Sequence, residues 1–525
     1  MIFDKDLNRL KLISCKSDKA IHKKIKISVF RNHAFEMVAS VINKFLNFSN
    51  VEASFDYSDY DDSFNFIIPN DDIDISILWI DLSRYKNIDV KVWLKERLLK
   101  LKTLTKSKII LYHTGEINDI TFDMDDLVVA NFNEIKSFLK NDAFDEEKIE
   151  YSGTRLSNKA CLYVARELGL RYIPACVFPC LKAIVIDLDN TFYKGVLGED
   201  GFDKISVYTK FQEKLKTLKE RGFLLAVISK NEMLDVKEMF EKRNDFKVSF
   251  DDFVDIQANW DLKSNNMMKI LKKLNIGEDS VIYIDDNPGE IQNMKNSFPF
   301  MNFIEFINEE KTLDILEFFP RIFKSKISKE DNLRTNDIKA NKIRKNSSLL
   351  SDEDYFKSLE IKLKYEIDDE KNVKRISELL NKTNQFIFNY KRYNENEISK
   401  IIKDDSYKII TCSLSDKLSD SGIIAIFILK KNDEILELDE LVISCRALGR
   451  RIETKMIKYA FVIAKQSLNT KNNIKITCLN GERNLPARLW INETFGTNMK
   501  EDIISFETDV ENEIDMRGIK VESSI

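Results

Sequence analysis

Glycine and proline are scarce in this 525-residue chain, 14 and 7 respectively, which excludes collagen-like, low-complexity and linker-dominated architectures. Histidine is scarcer still: His22, His33 and His113 are the three in the chain, so a base near Cys445 would have to be a carboxylate, a tyrosine or a residue from the first block. No stretch approaches the roughly 18 uncharged apolar residues of a spanning helix, and the best run, Gly422–Leu429, has the length of a strand. The opening run Met1–Leu10 alternates charge with apolar side chains and lacks an h-region, so a secretory signal is not expected. Seven cysteines, odd in number and without a CxxC pair, read as reduced thiols of a cytoplasmic protein rather than a disulfide framework. Cys176 and Cys180 have no His or second Cys pair nearby to complete a zinc site. Charge of one sign is also missing. The 82 Lys and Arg against 87 Asp and Glu leave a net charge of −5, so neither a nucleic-acid nor a membrane partner is expected.

What is present is material for buried cores: 43% apolar residues, including 35 Phe. At about 150 residues per domain the length predicts three domains, all α/β by pattern. Residues 1–180 form the first, with strand-like runs at Ile25–Phe30, Ile75–Asp81 and Lys108–Tyr112 and helices near 33–47 and 91–104. His33 and His113 each follow a strand, where a parallel sheet carries binding residues, but surface or internally satisfied histidines fit the same pattern. Residues 181–320 alternate strand and helix again. Residues 321–357 are a charged linker whose default reading is a solvated connector. Residues 358–525 are a mixed α/β module with strands at Ile423–Leu429 and Glu434–Ile443, ending in a polar tail over 511–525.

The strongest pattern lies in 181–320. The buried strand Leu181–Ile186 ends in Asp187-Leu-Asp189-Asn-Thr191, and Leu224–Ile228 ends in Ser229. Lys263 opens an amphipathic helix, and Ser280–Ile284 ends in Asp285-Asp286. If these strands are neighbours, Asp187, Asp189, Asp285 and Asp286 converge on one rim and repel one another unless a cation intervenes. Oxygen ligands without His or Cys select Mg²⁺. Beside a metal and a phosphate, Asp187 is free to attack phosphorus, and Asp189, two residues on, can protonate the leaving oxygen and then activate water. Ser229 and Lys263 supply a hydroxyl and a cation for the phosphoryl oxygens.

These four elements together resemble the motif set of the haloacid dehalogenase-like (HAD) superfamily. The resemblance implies Asp187 as nucleophile, Asp189 as acid/base, Ser229 and Lys263 as phosphate ligands, and Asp187, Asp189 and Asp285 around Mg²⁺, with Asp286 close by. The spacings Asp187–Ser229 and Ser229–Lys263 leave no room for a large inserted cap, so an open site is expected. In the third block, Ser444-Cys445-Arg446-Ala-Leu-Gly449-Arg450-Arg451 stands between a strand and a helix. There the backbone N–H groups, with Arg446, Gly449 and Arg450, fit a pyrophosphate or phosphopantetheine phosphate. The module resembles GNAT acyltransferases, with Arg451 where that loop ends in a small residue; an ordinary basic helix start fits the residues too.

Together the blocks resemble the FkbH-like (HAD-IIIC) family. The segments that carry the likeness are Asp187–Gly201, Ser229–Asn231, Asn259–Ser264, Ile284–Pro288, Thr383–Phe386 and Ser444–Arg450, with Tyr193-Lys194 where the family usually has Trp-Gly. The resemblance implies an N-terminal SGNH- or flavodoxin-like sandwich, a HAD-like Rossmannoid core without a large cap, and a C-terminal GNAT-like mixed sheet. It implies an enzyme that takes 1,3-bisphosphoglycerate, removes phosphate and loads D-glyceryl as a thioester on an acyl carrier protein, with phosphopantetheine or coenzyme A as the possible second cofactor. Cys445 is then either the acceptor of the glyceryl group or a buried, inert thiol. Two other readings stay open: a phosphatase of a sugar or carrier-linked phosphate, or another small phosphate ester, in polysaccharide or secondary-metabolite biosynthesis; and an N- or O-acyltransferase with a non-catalytic HAD block.

Overall fold

The computed structural model describes residues 2–14, 23–67, 72–115, 122, 124, 126–324, 340, 344, 351–432, 435–471, 473–481, 483–498, 501–510 and 514–523. Cys15 and His22 lie outside them. The first sheet is wholly parallel, built from β1 (Lys23–Arg31), β2 (Val51–Tyr60), β3 (Ile75–Ile80), β4 (Lys108–His113) and β5 (Leu127–Asn131) in the order β2-β1-β3-β4-β5. β3 is Ile-Ser-Ile-Leu-Trp-Ile and buried at every residue, as a central parallel strand covered on both faces must be. The helix Val90–Leu104 starts where the Asp89 carboxylate accepts the Lys91 and Val92 N–H groups at 3.0 and 3.1 Å. It buries Leu94, Leu98 and Leu101, one stripe at helical spacing. His33 and His113 are both buried in this sheet's carboxyl edge rather than offered to solvent. His33 stacks on Trp79 at 4.6 Å and pairs its Nδ1 with Thr154 Oγ1 at 2.8 Å.

The second sheet is also wholly parallel. Its strands are β6 (Ala183–Ile186), β9 (Leu224–Ser229), β10 (Phe253–Ala258), β11 (Val281–Asp285) and β12 (Asn302–Glu305), and between β6 and β9 stands a separate antiparallel hairpin of β7 (Tyr193–Lys194) and β8 (Ser206–Val207). The sheet order is β10-β9-β6-β11-β12. The chain leaves β6 toward β9 and β10 on one side and returns to β11 and β12 on the other, so the order reverses between β6 and β11. That reversal opens a crevice at the carboxyl ends of those two strands. β6, β9 and β11 are buried along their whole length. Just past the crevice, Phe192 is fully buried against Phe240, Phe246 and Phe253, with ring centroids 5.9, 5.5 and 5.8 Å away. Burying such a ring stabilises by about 1.5–3 kcal/mol, and here it anchors the turn that follows Asp187.

The third sheet is mixed, with β13 (Lys362–Ile367), β14 (Tyr407–Ser415), β15 (Asp420–Lys431), β16 (Leu436–Ile443), β17 (Ile474–Leu479), β18 (Ile503–Thr508) and β19 (Lys520–Ser523) in the order β18-β17-β16-β15-β14-β13-β19. β16 and β17 run parallel but pair only at Leu436↔Ile474 and Glu437↔Lys475. Beyond that point the segment Phe386–Asn389 fills the gap, bonded to β16 through Phe388 N and Leu441 O (3.2 Å) and to β17 through Leu479 N and Phe388 O (2.9 Å). The buried Glu440 carboxylate accepts the N–H groups of Phe388, Asn389 and Lys391 at 3.1, 3.0 and 2.7 Å.

Two expectations need correction. The charged stretch 321–357 is not solvated throughout. Arg321 and Lys324 bond to Pro179 O and Arg221 O, both at 2.9 Å, beside the second sheet. The helix Asp352–Leu359 buries Tyr355, Phe356 and Leu359 in the core of the third. Between these ends, buried Arg344 holds Asp416 at 2.6 Å. Apolar residues at helical spacing outweigh the surrounding charge in that helix. Nor is the C-terminal segment only a tail: β19 pairs with β13 as a solvent-facing edge strand. Among the described residues no helix is long and apolar enough to cross a membrane.

Candidate active site

Asp187 follows β6 directly, and its N–H donates to Ile284 O of β11 at 2.9 Å, closing the crevice floor beneath its side chain. Asp285 is the last residue of β11 and fully buried. Carboxylate oxygens of Asp187, Asp285 and Asp286 lie within 4.8 Å of one another. Lys263, the first residue of the helix Lys263–Leu274, is buried among them, its Nζ 3.0 Å from Asp187 Oδ1 and 2.7 Å from Asp285 Oδ2. Burial alone would lower the Lys263 pKa, but the two carboxylates outweigh it and raise it, so the ammonium is held charged. One cation among three carboxylates leaves negative charge uncompensated in a buried crevice, and an all-oxygen donor set of this kind fits Mg²⁺. The same excess appears in Asp187, whose carboxyl is pushed up to about 7 by burial and by Asp285, with Lys263 opposing.

A raised carboxyl must lose its proton before it can ligate a cation, so metal binding displaces that proton. Mg²⁺ affinity is therefore expected to fall as pH drops from about 8 toward 6. Isothermal titration in buffers of different ionisation enthalpy should register proton release on binding. Affinity independent of pH over that range would contradict the site.

Asp189 is not one of the converging carboxylates, which corrects its expected place as a metal ligand through its side chain. The turn after Asp189 passes Asn190 in the left-handed region, at φ +53°, and the Asp189 side chain has its own set of partners. Its Oδ1 accepts from Tyr193 Oη at 2.7 Å and Leu197 N at 3.0 Å, and its Oδ2 from Asn231 Nδ2 at 2.9 Å. Ser229 closes β9 and is buried, its hydroxyl accepting from the same Asn231 amide at 3.0 Å. Lys263 thus bridges Asp187 and Asp285, Asp286 lies within reach of both carboxylates, and Asn231 ties Asp189 to Ser229.

The sequence reading missed Asn231 as a bridge. It also missed Thr191, whose Oγ1 accepts the Asp286 N–H at 3.0 Å, and Tyr283, whose hydroxyl donates to Asp285 Oδ2. Tyr283 carried a signal: it stands two residues before Asp285 in a buried strand, so both side chains share one face, and a buried phenol needs a partner. Leu234, in the first turn of the helix Met233–Lys242 after β9, and Trp260 and Leu262, in the loop after β10, are exposed.

Cys445 lies elsewhere. Its carbonyl accepts from Asn275 Nδ2 at 3.2 Å, and Asn275 caps the C-terminus of the helix that Lys263 begins. That helix has 12 residues and a length of about 18 Å, so Cys445 sits at its far end from the aspartates. The loop expected to hold a phosphate is already engaged. The Glu453 carboxylate accepts the Gly449 N–H at 2.5 Å and a further backbone bond from Arg450. Arg446 and Arg450 are buried, and Arg450 faces Asp416 at 3.5 Å and Ser421 Oγ at 3.0 Å. This corrects the picture of Arg446, Gly449 and Arg450 as groups presented to a ligand: they serve internal carboxylates and hydroxyls, and a phosphate would have to displace Glu453.

One family profile and two solved structures are similar to parts of this chain. No curated protein matches the chain. Among solved structures, the N-terminal part of a Bacteroides fragilis protein, containing a phosphatase domain and complexed with Mg, is 24% identical. It covers 57% of this chain and 95% of its own, with a TM-score of 0.46. A HAD-superfamily hydrolase of subfamily IA from Geobacter sulfurreducens is 13% identical over 26% of this chain and 100% of its own, with a TM-score of 0.21. The haloacid dehalogenase-like hydrolase family profile matches residues 120–298, from the end of the first sheet through β11 and the helix after it. The middle of this chain is a haloacid dehalogenase-like hydrolase domain.

Proposed function

We propose that the crevice at the carboxyl edge of the second sheet is a Mg²⁺-dependent phosphoryl-transfer site. The observation that carries this reading is the meeting of Asp187, Asp285 and Asp286 around Lys263 where the strand order reverses. Asp187, Asp285 and Asp286 would hold the ion, which when bound offsets phosphate charge and polarises the phosphoryl oxygens. Asp187 attacks phosphorus; the P–O bond to the leaving group breaks as an aspartyl–phosphorus bond forms, and Asp189 gives its proton to the departing oxygen. Water then attacks the same phosphorus, its proton passes to Asp189, and inorganic phosphate leaves with Asp187 restored. Lys263 and Ser229 hold phosphoryl oxygens through both halves.

The finer reading is an enzyme of the FkbH-like type that takes 1,3-bisphosphoglycerate and loads D-glyceryl on an acyl carrier protein. The short insertion between Asp187 and Ser229, a small hairpin rather than a cap domain, suits a substrate or partner that must be approached from outside. In this reading the Cys445 thiol attacks the acyl-phosphate carbonyl as the bond to phosphate breaks, the carrier's phosphopantetheine thiol then takes the acyl group and restores Cys445, and the remaining phosphate ester is hydrolysed at the aspartates, about a helix length away. The alternative, a phosphatase of a small or carrier-linked phosphate ester, is favoured by Glu453 and Asp416 occupying the groups of the GNAT-like loop. Incubating the full chain with Mg²⁺, 1,3-bisphosphoglycerate and a holo-carrier, then weighing the carrier intact, separates the two. A glyceryl mass increment on the carrier, with a transient adduct on the Cys445 peptide, supports transfer. Phosphate release with an unmodified carrier supports the phosphatase alone.

A further inference from the structure

Asp189 has two tasks in the proposed reaction, giving a proton and taking one back, and a carboxyl free to rotate would perform neither efficiently. A carboxylate offers about four lone-pair positions on its two oxygens. Around Asp189, Oδ1 receives two donors, Tyr193 Oη at 2.7 Å and Leu197 N at 3.0 Å, while Oδ2 receives one, Asn231 Nδ2 at 2.9 Å. Both lone pairs of Oδ1 are therefore engaged, and one on Oδ2 is left to carry a proton. The two amide hydrogens of Asn231 are divided between Asp189 Oδ2 and Ser229 Oγ, the latter at 3.0 Å. The oxygen able to carry the proton is thus tied, through a single nitrogen, to the hydroxyl that would hold the phosphoryl group.

The clamp is rigid. Tyr193 is fully buried, lies nearly parallel to Phe246 at 6.3 Å, and has its backbone N–H on Leu188 O at 3.3 Å. Asn231 is buried as well. Tyr193 also comes from the hairpin inserted after the first aspartates and Asn231 from the loop after β9, so two separate segments converge on one carboxyl.

We propose that Tyr193 and Asn231 are positioning residues that fix which oxygen of Asp189 bears the proton and aim it at the leaving-group oxygen of a phosphate ester. The proposal rests on the phosphoryl-transfer reading. Misplacing a general acid matters in proportion to how much the leaving group needs its proton. An alkoxide needs it, whereas p-nitrophenolate departs without it. General acid catalysis is worth about 10²–10⁴-fold, and partial misplacement should forfeit roughly 10²-fold.

The test compares wild type, Tyr193→Phe and Asn231→Ala on an alkyl phosphate, glycerol 3-phosphate, and on p-nitrophenyl phosphate, with Mg²⁺ saturating. Both variants are expected to lose roughly 10²-fold in kcat on the alkyl ester and only a few-fold on the aryl ester, with KM little changed. Tyr193→Phe keeps the ring and its packing, so it guards against loss of folding in Asn231→Ala. Equal losses on both esters would overturn the proposal and leave the two residues merely structural. If wild type releases phosphate from neither ester and Asp187→Asn changes nothing, the phosphoryl-transfer reading itself has failed and this inference falls with it.

Discussion

Replacing Asp187 by Asn should abolish phosphate release from any ester the protein hydrolyses, by roughly 10⁴-fold or more, equivalent to about 5 kcal/mol of barrier. The substitution is nearly isosteric, so the fold should survive. The amide removes the nucleophilic oxygen while leaving Asp285 and Asp286 in place. It also removes one of the negative charges that Lys263 balances. The variant should therefore melt no lower than wild type without metal, and it should bind Mg²⁺ more weakly. Phosphate release and thermal denaturation with and without Mg²⁺ check both halves. Release at the wild-type rate would reject the assignment of this crevice.

Lys263→Met should have the second largest effect, and chiefly on stability. Lys263 sits between two buried carboxylates, at 3.0 Å from Asp187 and 2.7 Å from Asp285. Removing one partner from a buried ion pair costs about 3–5 kcal/mol, because the other charge is left uncompensated. For a unit of this size that corresponds to a fall in Tm of roughly 6–20 °C. Added Mg²⁺ should recover more stability in the variant than it adds to wild type, since the ion meets charge that nothing else balances. Turnover should not recover with it, because the ammonium is also the group proposed to hold a phosphoryl oxygen. A Tm unchanged from wild type in metal-free buffer would show that the lysine does not carry the electrostatic load described.

The second sheet was readable because its three inner strands are Ile, Val, Leu and Ala on both faces apart from Tyr283, and each leads into a polar residue at the edge where parallel sheets do chemistry. Strands with polar outer faces were not readable in the same way. β2, Val-Glu-Ala-Ser-Phe-Asp-Tyr-Ser-Asp-Tyr, lies at a sheet edge and has a largely exposed outer half, so no apolar run marks it. Asp189 shows the limit of spacing: two residues from Asp187 in sequence, its side chain is held by Tyr193, Leu197 and Asn231, partners that no periodicity reports. Arg450 and Glu453 show a different limit. A basic, glycine-containing helix start looks the same whether its N–H groups await a ligand or a carboxylate one turn on, and only packing reveals that Glu453 and Asp416 have taken them.

The most direct test of the central claim is to trap the covalent species. Rapid acid quench of the full chain during turnover of a phosphate ester, with Mg²⁺ present, followed by peptide mass analysis, should find one phosphoryl group on the carboxylate of Asp187. Phosphate mapped to another side chain, or turnover at full rate with Asp187 unmodified at every quench time, would contradict it.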